Sequence, residues 1–264
     1  MCLAVIARHA HPRFSLIIVA NRDEYHERPT EPAQIWSGHP QILAGRDLRA
    51  GGTWLGVSAT GKIGLLTNYR EPGYQNLSAP TRGALVSQYL QDSTSASQYA
   101  QTVDAKGQQF NGFNLLLADS NSVHYVSNRG QRKESLVEDG VHGLSNATLD
   151  IAWPKVRRTK TAVSELLSKG NALEIDGLFE IFRDAHPAHP NEIPQTGLTP
   201  ERELLLSSPF ILDNTYGTRC STVILVDVAN QIYFEERSFD CNGQITHRVQ
   251  YQLDRLTQTF TSHA

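Results

Sequence analysis

Hydrophobic positions in the first part of the chain fall in short β-rich runs divided by turn residues. Leu3-Ala4-Val5-Ile6-Ala7 and Ser15 to Ala20 predict two strands, with His11-Pro12-Arg13 as their hairpin connection. Gly51-Gly52 precedes a third run, Trp54 to Ser58, and Gly61-Lys62 turns the chain into Ile63 to Thr67. Arg82 to Leu90 and Ala96 to Lys106 predict helices. Asn114 to Asp119 and Ser122 to Ser127, dense in Leu, Val and aromatic residues, predict two more strands. The middle of the chain turns helical. Trp153 to Lys169 carries Val156, Val163, Leu166 and Leu167 at helical spacing, and Ile175, Leu178, Phe179 and Phe182 repeat as i, i+3, i+4, i+7. Pro187, Pro190 and Pro194 then enforce a loop, and Thr199-Pro200 opens a short helix through Leu206. Ser221 to Val228, Gln231 to Arg237 and Ile245 to Tyr251 predict closing strands. Strands, helices and strands again, without repeats, predict one layered α+β domain over residues 1–264.

Composition narrows the functional classes. A hydrophobic fraction of 39% supplies a core, and a net charge of −3 gives no electrostatic reason to bind nucleic acid or an anionic membrane. The three cysteines, Cys2, Cys220 and Cys241, form no CxxC pair, which argues against disulfide, zinc-ribbon and attached-haem frameworks. The N-terminal apolar run is too short for a secretory signal, and no stretch approaches the roughly 18 apolar residues of a membrane span. The expectation is a soluble, cytoplasmic protein with no transmembrane segment. Nucleotide-binding, zinc-protease and hydrolase-elbow motifs are absent from the sequence. Asp23, Glu24, His26 and Glu27 read as a polar turn in preference to a metal site, and Lys155, Arg157, Arg158 and Lys160 as a solvated helix face.

Cys2 stands apart because aminopeptidases remove Met1 before a small residue. The chain would then begin with a thiol and a free α-amine on one residue. That amine, with an ordinary pKa of about 7.7–8.0, is a base near neutral pH. A thiol activated by its own amine is the N-terminal-nucleophile arrangement. The alternative, which sequence logic alone favours because many chains carry a small residue at position 2, is a residue that merely opens the first strand.

A set of motifs then runs in order: Met1-Cys2, Asn21-Arg22-Asp23-Glu24 with Arg28-Pro29, Gly51-Gly52-Thr53-Trp54-Leu55-Gly56 and Leu66-Thr67-Asn68-Tyr69. Asn111-Gly112-Phe113-Asn114-Leu115, Asn128-Arg129-Gly130, Gly143-Leu144-Ser145-Asn146-Ala147 and Tyr216-Gly217-Thr218-Arg219 follow. Together they resemble the NRDE family, whose eukaryotic members are called transport and Golgi organisation protein 2. The resemblance implies an α+β N-terminal-nucleophile-hydrolase-like fold, a four-layer αββα sandwich of two antiparallel sheets between helical layers. It also implies haem handling, with haem as bound cargo passed between a donor and a recipient protein. That is the first functional expectation.

The alternative is an active cysteine hydrolase acting on an amide, ester or thioester. Cys2 would attack the carbonyl, and Arg22 would depress the thiol pKa. Asn68 and Asn146 are candidates to donate to the oxyanion, and Arg219 to fork onto a substrate carboxylate or a neighbouring acid. Each asparagine equally suits a turn bonding its own backbone, and Arg219 an ordinary ion pair. Bile-salt and penicillin-V acylase relatives carry Arg and Asp as R-x-x-D, whereas Arg22 and Asp23 are adjacent here. Neighbouring strand residues face opposite sides. Either the strand has ended by Arg22, or only one of the pairs Arg22/Glu24 and Asn21/Asp23 meets the thiol. For haem, His9, His11, His26, His39, His186 and His189 are available ligands, none singled out by spacing, and Cys2 is itself a thiolate candidate. In either case the expected ligand is small and largely apolar, haem or an acyl compound.

Overall fold

Fourteen strands and five α-helices make up the computed structural model, which describes residues 2–130, 134–170 and 172–263. Strands β1 (Cys2–His11), β2 (Phe14–Tyr25), β3 (Thr30–Trp36), β4 (Ile42–Asp47), β5 (Leu55–Ser58) and β6 (Ile63–Asn68) come first. Helices α1 (Gly83–Gln91) and α2 (Ala96–Lys106) lead to β7 (Phe113–Ala118), β8 (Val123–Ser127), β9 (Glu134–Leu136) and β10 (Gly140–Leu144). Helices α3 (Pro154–Leu167), α4 (Ile175–Phe182) and α5 (Pro200–Leu205) precede β11 (Tyr216–Asp227), β12 (Ile232–Phe239), β13 (Ile245–Asp254) and β14 (Thr259–His263).

The strands form two antiparallel sheets of seven. One runs β10-β1-β2-β11-β12-β13-β14 and the other β3-β4-β5-β6-β7-β8-β9. Alternation along β1 explains the layers. Ala4 and Ile6 face inward, where they join Ile18, Leu43, Val57, Leu65, Leu116 and Ile224 between the sheets. Leu3 and Val5 face outward with Ile17, Val19 and Val223, under Val156, Val163, Leu178, Phe179 and Phe182 of α3 and α4. On the other sheet, Leu115 and Leu117 meet Leu85, Val86, Tyr89 and Val103 of α1 and α2. Both faces of each central strand are covered, so Leu3 to Ala7 reads as an unbroken apolar run where a half-exposed strand would alternate. The architecture is the αββα sandwich.

Several elements differ from the sequence pattern. The second strand does not stop at Ala20 but continues to Tyr25, because Asn21 and Asp23 find buried hydrogen-bond partners and can stay in the ladder. Strands β3 and β4 occupy a stretch to which the sequence pattern assigns no element. β3 carries Pro32 and is a sheet edge, where a missing backbone donor is tolerated. The basic run on α3 is not one solvated face: Lys155 is 1% exposed. Arg157 pairs with Glu192, Arg158 with Asp184 and Lys160 with Asp150.

Asp150 fastens α3 to the sheet. It accepts from His142 Nδ1 on β10 at 2.7 Å, Gly143 N at 3.0 Å and Lys160 Nζ on α3 at 2.8 Å. His142 Nε2 donates to the Glu138 carbonyl at 3.0 Å, so both ring nitrogens face acceptors and favour the imidazolium. The bond to Asp150 raises His142 above its usual range, against some burial. Burial opposes ionisation of Asp150, but hydrogen bonds from His142 and Lys160 outweigh it and hold the carboxyl well below the usual range. The His142 contribution to stability is therefore complete below about pH 6.5 and lost as pH rises through its higher folded value. Asp150's own contribution is present above about pH 4 and lost in strong acid. Thermal unfolding of wild type and Asp150→Asn should show a gap that is widest near about pH 5.5 and narrows toward about pH 9. A gap constant over that range would contradict the pairing.

Candidate active site

Cys2 opens β1, and its Cα pairs directly with that of Arg22 on β2. Directly paired residues share a face, so thiol and guanidinium lie on the same side of the sheet. Glu24 joins that side, with Arg22 Nη2 at 4.0 Å from its Oε2. Asn21 and Asp23 go to the other side. Asn21 Nδ2 donates to the carbonyls of Phe182 and Pro209, both at 2.9 Å. Asp23 Oδ1 accepts from Thr218 Oγ1 at 2.8 Å. The Asn21-Arg22-Asp23-Glu24 tetrapeptide is thus divided by the pleat: one pair faces the pocket and the other anchors the loops beneath α4.

The pocket lies between the sheets at the start of β1 and has a volume of about 110 Å³. Cys2, Arg22, Glu24, Arg28, Asp47, Thr53, Trp54, Asn68 and Arg82 line it, and Asp23 contributes to its wall. The Arg22 guanidinium stacks on the Trp54 ring, 4.2 Å from its centroid, and Nη1 reaches Thr30 Oγ1 at 3.4 Å. Stacking fixes the plane of the cation beside the thiol. Arg28 is tied to Asp47 through Nη2 at 2.7 Å and Nε at 3.0 Å. Gly52 and Gly83 close one wall by direct backbone approach. A Cβ at Gly52 would stand 2.5 Å from the Gly83 carbonyl carbon. Gly52→Ala is expected to cost about 1–3 kcal/mol, because backbone must shift. An unchanged urea midpoint would contradict that close approach.

Asn68 ends β6 and lines the pocket. Asn146 does not: fully buried, it donates Nδ2 to the Asn68 carbonyl at 2.9 Å and so holds the end of that strand. Arg219 lies in the irregular step of β11 between Thr218 and Cys220, opposite β2. Its Nη1 donates to the carbonyls of Tyr25, Arg28 and His26 at 2.9, 3.2 and 3.3 Å. Those bonds pin the turn after β2, away from the pocket lining. Cys220 is buried and Cys241 partly exposed.

Sequence reasoning left three contributors out. Ser145 Oγ donates to the Cys2 carbonyl at 2.9 Å, and Thr67 Oγ1 donates to the Ser145 carbonyl at 2.6 Å. The backbone at Cys2 is thereby fixed from both sheets. Arg82, at the start of α1, brings a further cation to the pocket. A basic residue at a helix N-terminus opposes the macrodipole, and that conflict is the sequence signal that could have singled it out.

The Cys2 thiol is pushed up by burial. Arg22 and the Asp23 backbone N–H pull it down, while the Asp23 carboxylate pushes it up further. The expected depression by Arg22 is present but outweighed by desolvation, so the resting group is a thiol and needs a base. Met1, on whose removal a free α-amine at Cys2 depends, lies outside the described residues.

A second, wider cleft of about 530 Å³ adjoins the pocket and shares Glu24, Arg28, Asn68 and Arg82 with it. Tyr25, Tyr69, Tyr74, Arg49, Arg202 and Leu198 complete much of its wall. Among the described residues no group of three or more His, Cys, Asp or Glu could hold a metal ion, and no helix is long and apolar enough to cross a membrane.

This arrangement, an N-terminal cysteine between two antiparallel sheets, can be set beside known proteins. The family model for transport and Golgi organisation 2 matches residues 1–241. The chain belongs to that family. The transport and Golgi organization 2 homologue of Mus musculus is 35% identical over 240 residues, covering 85% of this chain and 87% of its own. The Homo sapiens homologue is 34% identical over the same length with the same coverage. Transport and Golgi organization protein 2 of Drosophila melanogaster is 26% identical over 262 residues, covering 90% of this chain and 92% of its own. Among solved structures, a conjugated bile acid hydrolase from Clostridium perfringens superposes with a TM-score of 0.53 at 9% identity. It covers all of this chain and 97% of its own. The Caenorhabditis elegans orthologue of N-acylethanolamine-hydrolyzing acid amidase gives 0.51 at 12% identity, covering 85% and 92%. These two neighbours share the N-terminal-nucleophile hydrolase fold with the family member described here.

Proposed function

We propose that this protein is a cysteine-centred acyl hydrolase acting on an amide, ester or thioester. The observation that carries this reading is the placement of Cys2 in a polar pocket, paired across the ladder with a stacked Arg22 and with Asn68 in the same wall. The chemistry balances with groups at hand once Met1 is removed. The thiol proton passes to the α-amine of Cys2, and the thiolate attacks the acyl carbon. The tetrahedral adduct then expels an amine, alcohol or thiol that takes that proton. Water cleaves the resulting acyl-thioester, regenerating the thiol. Arg22 and Arg82 supply positive potential for the developing oxyanion. The wide cleft would hold the body of the substrate, within the roughly 300–1,000 Å³ of small-molecule sites. The bile acid hydrolase and acid amidase are named hydrolases, and at their low identity they lend this reading a shared scaffold and no substrate.

Haem carriage is the second reading, favoured by the same cleft. Tyrosine rings at Tyr25, Tyr69 and Tyr74 offer apolar faces, and Arg49 and Arg202 offer partners for propionates. The deciding experiment pairs turnover of an amide, ester and thioester panel with haem titration, on wild type and Cys2→Ala. Turnover that vanishes in Cys2→Ala supports the hydrolase. Saturable haem uptake that survives Cys2→Ala, without turnover, supports the carrier. Nonsaturable uptake removes the carrier.

A further inference from the structure

The segment after β10 crosses from one sheet to the other beside Cys2. The β1–β10 ladder ends at the pair Ala4 and Leu144, and the chain bends at Ser145, where a longer strand would have run on opposite Leu3. Four bonds tie the bent segment to the other sheet. Thr67 Oγ1 donates to the Ser145 carbonyl at 2.6 Å and Asn146 Nδ2 to the Asn68 carbonyl at 2.9 Å. Arg70 N donates to the Asn146 carbonyl at 2.7 Å and Asn114 Nδ2 to the Ala147 carbonyl at 2.9 Å. Thr67 is held in turn: Asn114 Nδ2 donates to its Oγ1 at 3.0 Å, and Tyr125 OH donates to Asn114 Oδ1 at 2.7 Å. One hydroxyl reaches back to the first sheet. Ser145 Oγ donates to the Cys2 carbonyl at 2.9 Å, with Asn146 Oδ1 3.2 Å away as a second acceptor. The hydroxyl thus stands in for the backbone donor that β10 no longer supplies. Tyr125, Asn114, Thr67, Ser145 and Asn146 are all buried. Buried polar side chains are stable only when bonded, and this run is bonded from β8 to the carbonyl of Cys2.

We propose that Ser145 is a positioning residue of the Cys2 site: it holds the carbonyl of the first residue so that the thiol keeps a set place relative to Asn68. This rests on the hydrolase reading above. Once Met1 is removed, Cys2 is the chain end, and a chain end frays unless it is tied down. The carbonyl that Ser145 bonds is attached to the same Cα as the α-nitrogen and the side chain carrying the sulfur. Holding it stops that Cα from turning about its bond to the carbonyl carbon, so base and nucleophile keep one direction. The same strut ends on Asn68 through Asn146, and Asn68 lines the pocket with Cys2. Nucleophile and candidate oxyanion donor belong to different sheets, and residues 145 and 146 set the gap between them. A misplacement of about 1 Å at a reacting centre costs about 10²-fold in rate.

The test uses a chain released to begin at Cys2 by a site-specific protease, comparing wild type, Ser145→Ala, Ser145→Thr and Thr67→Val. Two readouts are taken on folded protein. One is kcat and KM on the amide, ester and thioester panel; the other is the rate at which iodoacetamide alkylates Cys2, read on the N-terminal peptide. In Ser145→Ala the loosened thiol should be alkylated about threefold faster or more, because thiol reactivity follows access. At the same time kcat should fall by about 10- to 100-fold, with KM within about threefold of wild type. A merely structural role would lower the urea midpoint and leave kcat of the folded protein unchanged. Ser145→Thr restores the hydroxyl and should recover most of the lost turnover. Thr67→Val removes the donor behind Ser145 and should move both readouts the same way by less; if Ser145→Ala does not fold, Thr67→Val decides. Alkylation at the wild-type rate, or an unchanged kcat, would overturn the proposal. The alkylation readout needs no substrate. Faster alkylation in Ser145→Ala, with no turnover even in wild type, removes only the hydrolase; wild-type alkylation with intact turnover removes only the strut.

Discussion

Cys2→Ala is expected to reduce acyl turnover by a factor on the order of 10³ or more, with the fold intact. On the hydrolase reading the loss is large because the sulfur is the one atom of the residue that would bond to substrate. The fold survives because Cys2 contributes to it through its backbone. The pairing with Arg22 and the bond from Ser145 to the Cys2 carbonyl both remain in the alanine variant. Circular dichroism and urea unfolding should therefore match wild type while turnover disappears. A variant that kept most of its turnover would move the chemistry away from Cys2.

The largest stability effect is expected at Glu203→Gln. Arg70 Nη1 and Glu203 Oε2 are 2.7 Å apart, and each side chain is only 4% exposed. Thr196 donates to the other carboxylate oxygen through its backbone N–H at 2.8 Å and its hydroxyl at 2.5 Å. The amide removes the charge that balances a buried guanidinium already drawn down by desolvation. Breaking a buried pair from one side costs about 3–5 kcal/mol. The urea midpoint should fall accordingly with little change in slope. Leu198, Arg202 and Leu206 of this segment line the wide cleft, so ligand affinity there should weaken as well. A loss below about 1 kcal/mol would mean that solvent screens the pair as it does at a surface.

What the sequence revealed depended on whether a residue's partner was nearby in the chain or across it. The run Leu3 to Ala7 and the spacing of Leu178, Phe179 and Phe182 are local patterns, and the sheet and helix they predict are present. The meeting of Cys2 with Arg22 was legible from the ordered motifs, and the ladder pairs the two beside one pocket. The pleat argument over adjacent Arg22 and Asp23 was also legible: β2 continues, and only the Arg22/Glu24 pair shares the thiol's side. By contrast, Lys155 reads as one charge of a solvated basic run, yet it is 1% exposed where α3 packs on β1 and β10, a burial that nothing near it in sequence announces. β3 and β4 were hidden for a related reason. Gly45 is small because the Trp54 ring lies over it, 2.3 Å from where a Cβ would stand, and that contact belongs to the folded sheet. Asn146 and Arg219 carry the right functional groups, yet their bonds go to the carbonyls of Asn68, Tyr25, His26 and Arg28. Composition cannot distinguish a donor aimed at substrate from one aimed at a neighbouring strand.

The central claim is that Cys2 forms a covalent acyl intermediate. Its most direct test is intact-mass and peptide mass spectrometry of the mature protein, quenched in acid during turnover of activated acyl esters and acyl thioesters. The expected result is a single acyl increment on the peptide beginning at Cys2, absent in Cys2→Ala and released by hydroxylamine. Substrate consumed with no acyl group on Cys2, or an equal increment in Cys2→Ala, would contradict it.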